Sequence, residues 1–66
     1  MRGNKLFEVA IRIIVLLSHE PDLRQAEIAR RLGECGSTVM RALPYTDRLG
    51  VRLAEDEDGR LTLAEQ

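Results

Sequence analysis

At 66 residues, with a net charge of −1 and 44% hydrophobic residues, the chain has room for one small domain and is not composed like a disordered protein. Its single cysteine excludes an internal disulfide, and its longest unbroken apolar run, Ile13 to Leu17, is far below the roughly 20 residues that cross a bilayer. One histidine, one cysteine and no glycine-rich phosphate loop supply neither a nucleophile with its base nor a set of metal ligands, so no enzyme, cofactor, metal or small-molecule site is expected.

The first predicted element is a helix over residues 5–18, with Asn4 as its cap. Ten apolar residues between Leu6 and Leu17 sweep an arc of about 220° at 100° per residue, against about 100° for an ordinary one-sided helix. Lys5, Glu8 and Arg12 share what polar face is left. Part of the apolar arc is therefore expected to remain uncovered within one chain, which predicts a symmetric homodimer contact through this helix. His19, near its end, is expected to satisfy terminal carbonyls or to face solvent.

A second helix is read over residues 23–32. Asp22 is its expected cap, with Gln25 reaching back as a capping-box partner. Ala26, Ile28, Ala29 and Leu32 form the apolar stripe, and Glu27, Arg30 and Arg31 the solvent face. Gly33 supplies the left-handed residue that stops a helix. A third helix follows over residues 36–49, closed by Gly50, with a kink at Pro44 where the ring removes an amide donor. Val39, Ala42 and Leu43 face inward together, leaving Ser37, Thr38, Met40 and Arg41 pointing out.

The remaining residues, 51–64, alternate as a β-hairpin. Val51, Leu53, Leu61 and Leu63 fall on one face, Arg52, Arg60 and Thr62 on the other, and Asp58-Gly59 in the turn. The expected fold is mainly α with a small β-hairpin. Ala29 permits close crossing of the second and third helices, and Gly33 joins them, the pattern of a three-helix winged helix-turn-helix.

In such a unit the third helix enters the major groove of DNA, its first turns reading base edges and phosphates. The candidate contacts are Gln25, Gly36, Ser37, Thr38, Met40, Arg41, Tyr45, Arg52 and Arg60. Arg41 is the candidate for a bidentate contact to guanine. Tyr45 has two readings, a phosphate donor and a packing residue.

EIARRLG at 27–33, STVMRAL at 37–43, Gly50 and DGRLTL at 58–63 together resemble the DNA-binding domain of IclR-type transcription regulators. The similarity spans Leu6 to Leu63. It implies sequence-specific binding of double-stranded DNA, with Ser37, Thr38 and Arg41 at the family's contact positions. The chain departs from that pattern at four places. Glu34 and Thr46 replace apolar residues, Cys35-Gly36 replaces a Pro-Lys pair and with it one phosphate contact, and Pro44 interrupts the following helix.

Charge is divided along the chain. Residues 24–48 hold five arginines against three acids, net +2, and residues 51–66 two arginines against five acids, net −3. Four of those acids, Glu55 to Asp58, form the hairpin tip and would be repelled by phosphate, so the tip is expected to point away from DNA. The few positive charges favour an alternative reading, a winged-helix module that docks on a basic protein partner through the acidic wing and the first helix. A calcium-loop alignment of Asp56, Asp58, Gly59, Leu61 and Glu65 lacks its first ligand, since Ala54 stands there. Cys35 reads either as a small residue in the place of a serine cap or as a thiol whose oxidation blocks docking. With neither membrane span nor signal peptide read, a cytoplasmic location is expected.

Overall fold

The computed structural model describes residues 4–64 and contains three helices and a small three-stranded antiparallel sheet. The first helix, α1, spans Lys5–His19, and the Asn4 side chain caps it by accepting the Leu6 N–H at 2.9 Å. Its buried residues are Val9, Ala10, Ile13 and Leu17, a stripe at helical period. The helix stops where Glu20 donates its N–H to the Leu16 carbonyl and Pro21 follows.

Between α1 and the next helix the structure corrects the sequence reading. Asp22 adopts a left-handed backbone (φ 65°) and turns the chain into a short strand, β1, Leu23–Arg24. The second helix, α2, therefore begins at Gln25 and runs Gln25–Leu32. Neither Asp22 nor Gln25 serves as its cap pair: the Glu27 carboxylate reaches back to accept the Arg24 N–H at 3.0 Å. Ala26, expected in the apolar stripe, is exposed, because Ile28, Ala29 and half-buried Leu32 centre the packed face elsewhere.

Two helices end in the same way. Gly33 (φ 69°) donates to the Arg30 carbonyl and Glu34 to the Ala29 carbonyl, a Schellman closure of α2. The third helix, α3, spans Gly36–Arg48, and Gly50 (φ 81°) and Val51 repeat the closure onto Asp47 and Thr46. A left-handed residue at each place explains glycine there. Pro44 lies inside α3 on its exposed side, and the helix runs unbroken past it, so the expected kink does not divide the element. Solvent can serve the Met40 carbonyl that lacks a donor.

The hairpin strands are β2, Leu53–Glu55, and β3, Arg60–Leu63, paired Leu53↔Leu63 and Glu55↔Leu61. On its other edge β3 pairs with β1, Leu23↔Leu61 and Arg24↔Arg60, giving the strand order β1-β3-β2. The wing is thus a three-stranded sheet stitched to the start of α2, where a two-stranded hairpin was expected. Leu23 and Leu61 turn inward and join the α1 stripe, Ile28, Ala29, Val39 and Ala42 in one core. Thr46 is buried in the same layer, its hydroxyl donating to the Leu43 carbonyl at 2.7 Å, which explains how a polar residue occupies an apolar position. Among the described residues no helix is long and apolar enough to cross a membrane.

Candidate nucleic-acid interface

α3 is held from one side. Val39, Ala42 and Thr46 are buried, with α1 as its main packing partner, while Ser37, Arg41, Pro44 and Arg48 are exposed. These four sit at spacings of four, three and four residues and so form one outward stripe. Met40, 56% exposed, flanks it, and Thr38 lies half-buried at its other margin. Cys35 occupies the cap position but makes no side-chain capping bond, so first-turn amides of α3 remain available to an anion. Gly36 is exposed with open space where a Cβ would stand, and its backbone is ordinary, so no packing demand explains glycine there.

The other candidates are placed around this stripe. Gln25 is the first residue of α2 and half-buried. Arg60 lies exposed on the face of the sheet opposite Leu61 and Leu63, as the alternation predicts, and Arg52, just before β2, is exposed as well. Tyr45 takes the packing role: its ring lies 5.0 Å from that of Phe7 of α1, and the Arg48 guanidinium sits 5.4 Å from the Tyr45 ring centre. That contact leaves Tyr45 aside from the stripe and adds Arg48 to it. Arg48 follows Arg41 by seven residues, a helical repeat legible in the sequence.

The turn that sets the start of α3 is braced from α1. Glu34, with its side chain only 14% exposed, receives Lys5 at 3.5 Å and Arg12 at 3.4 Å. Arg12 also donates to the Leu32 carbonyl at 2.9 Å, serving the open end of α2. An acid at this position is thereby matched by two cations. Elsewhere, Arg31 is engaged by Glu20 at 2.8 Å, and the Glu27 carboxyl is held below its ordinary pKa by the Arg24 backbone N–H and, secondarily, by the charges of Arg31, Arg24 and Arg30.

The hairpin tip is organised by Asp56, whose carboxylate accepts the N–H groups of Asp58 and Arg60 at 2.9 Å each. Glu55, Asp56, Glu57 and Asp58 are all exposed. Between α3 and the sheet runs an open groove of about 390 Å³ with Met40, Leu43 and Leu53 in its lining and the acids Asp47 and Glu55 at its margins. Among the described residues no group of three His, Cys, Asp or Glu is arranged to hold a metal ion, and Glu65 of the calcium-loop alignment lies outside them. Ile11 and Val15 of α1 remain 49% and 51% exposed and line a second groove with Leu16, Leu32, Arg12 and His19. The chain matches no protein-family model, no curated protein and no solved structure.

Proposed function

We propose that the protein is a sequence-specific regulator of transcription that binds double-stranded DNA by laying α3 in the major groove. The carrying observation is the division of α3 into a face clamped in the core and a face on which Ser37, Met40, Arg41 and Arg48 are exposed. Arg41 projects two donors of a rigid fork suited to the O6 and N7 acceptors of guanine. Ser37 and the amides at the start of α3 suit a phosphate. The likeness to IclR-type regulators, with its contact positions at Ser37, Thr38 and Arg41, supports the same assignment. This reading makes it a cytoplasmic protein working on the duplex as a homodimer, the uncovered Ile11 and Val15 of α1 meeting their counterparts in a second copy.

The test is titration with mixed genomic DNA fragments at low salt, followed by the same titration of Arg41→Ala. Retention by the natural chain and weaker, less selective retention by the variant are expected. No retention at all, or an unchanged response to the variant, overturns the reading.

One set of observations favours a second reading, docking on a basic protein. Glu55, the first of the four exposed tip carboxylates, and Asp47 line the groove between α3 and the sheet together with Met40, Leu43 and Leu53, a combination that suits cationic side chains with apolar neighbours. Failure of DNA retention would leave this reading in place.

A further inference from the structure

The hydrogen-bond phase of the sheet turns the polar groups of one edge outward. β2 is the last strand in the order β1-β3-β2 and pairs with β3 alone. Asp56 donates its N–H to the Arg60 carbonyl at 3.0 Å and Ala64 donates to the Arg52 carbonyl at 2.9 Å, so in this antiparallel pair Arg52, Ala54 and Asp56 hold the positions that bond to β3. Leu53 and Glu55, between them, direct their N–H and carbonyl groups to the free edge. No turn or loop of the described residues supplies those groups with a backbone partner.

The side chains of the same two residues face α3. Leu53 is opposite Leu63 and Glu55 opposite Leu61, and buried Leu61 marks that face of the sheet as the inner one. Leu53 and Glu55 thus line the groove of about 390 Å³ whose other wall is Met40, Leu43 and Asp47 of α3. None of the ion pairs formed among the described residues includes Asp47 or Glu55. An open strand edge therefore adjoins an apolar groove that holds two carboxylates. Charge selects what fits there. With residues 51–66 at net −3 and Glu55 to Asp58 exposed, a second copy brought edge to edge would set like charges together, and a phosphate backbone would meet the same repulsion.

We propose that β2 accepts a fourth strand from a partner protein, an extended segment carrying an apolar residue and, two positions away, a lysine or arginine. This rests on the reading of docking on a basic protein and deepens it, naming the edge and the form of the partner. The segment's main chain pairs with the N–H and carbonyl groups of Leu53 and Glu55, which supplies affinity without regard to sequence. Its side chains two apart share one face, so the apolar one lies beside Leu53 and Met40 and the cation beside Glu55 and Asp47. The carboxylates that keep copies of this chain apart are the ones that choose the partner.

The test titrates the chain with short synthetic peptides: a threonine-valine alternation with one valine replaced by lysine, the same peptide with glutamate in place of that lysine, and the lysine peptide with its backbone amides N-methylated. Fluorescence anisotropy measures binding, and amide hydrogen exchange followed by NMR locates it. At saturating lysine peptide the N–H groups of Leu53 and Glu55 should exchange at least about tenfold more slowly. The glutamate and N-methylated peptides should bind at least about fivefold more weakly, the first for its charge and the second for its missing donors. Glu55→Lys should invert the order of the lysine and glutamate peptides, which loss of folding could not do. Undiminished binding of the N-methylated peptide overturns the strand pairing and leaves docking of a basic chain in the groove standing. An order that Glu55→Lys fails to invert overturns the proposal, as does protection of Leu53 and Glu55 by self-association before peptide is added, which assigns the edge to a second copy. If no lysine peptide binds, the proposal and the reading of basic-protein docking fall together.

Discussion

Glu34 and Arg12 face one another with charged atoms 3.4 Å apart although 22 residues separate them, joining the α2–α3 turn to the middle of α1. Lys5 meets the second oxygen of the same carboxylate. Through these contacts α1 helps to set where α3 begins.

Glu34→Gln should therefore cost about 1 kcal/mol or less, because both cations are largely exposed, and the cost should shrink near 1 M salt. Arg12→Met should cost more, since the Leu32 carbonyl loses its donor too. Urea unfolding of both variants at low and high salt measures the difference. An Arg12→Met cost no greater than that of Glu34→Gln would contradict the weight given to the carbonyl contact.

Ile28 is fully buried and Ala26, two residues earlier in the same helix, is exposed. Ile28→Ala is expected to lose about 2–5 kcal/mol, a large part of the roughly 3–10 kcal/mol total of a domain this size. Ala26→Lys should stay within about 0.5 kcal/mol. Circular dichroism during urea titration checks both. A severe effect at Ala26 would contradict the packing of α2 described above.

The uncovered face of α1 gives a prediction about assembly. Val15 is half exposed beside Ile11, so Val15→Glu should leave the helical signal unchanged while disrupting self-association. Sedimentation at high micromolar concentration should find a dimer for the natural chain and a monomer for the variant. A monomeric natural chain at that concentration removes the proposed homodimer.

The acid limb of stability should carry the mark of Glu27. Its pKa lies below the ordinary 4.5, first because the ionised carboxylate accepts the Arg24 N–H. A lowered folded-state pKa means that the contribution is fully present above the unfolded value and is lost as pH falls through the folded one. Glu27→Gln should thus melt below the natural chain at neutral pH, and the gap should close in acid. Melting curves from about pH 7 to about pH 2 test this, and a gap independent of pH would point away from the carboxylate's charge.

Much of the architecture is legible along the chain because its causes are local. Asn4, the apolar repeat of α1, Gly33 and Gly50 all act within a turn or two of their own positions, and the inward and outward faces of α3 follow from its period alone. The alternation of Leu53, Leu61 and Leu63 with Arg52 and Arg60 has the same local character. The exposed arc of α1 also belongs here, since one small domain has too little surface to cover it.

What lay beyond the sequence depends on partners far along the chain. Two extended residues, Leu23 and Arg24, carry no periodicity of their own, and only pairing with β3 makes them a strand, which moves the start of α2 and transfers the cap to Glu27. The same pairing creates the Arg24–Arg60 neighbourhood, just as tertiary contact gives Glu34 its two cations and Tyr45 its Phe7. Sequence by itself determined the presence of three helices, their stops and most of their apolar faces, since hydrogen bonds and side-chain period act between near neighbours. Tertiary structure alone decided which charges meet, because that depends on how rods and strands cross in space.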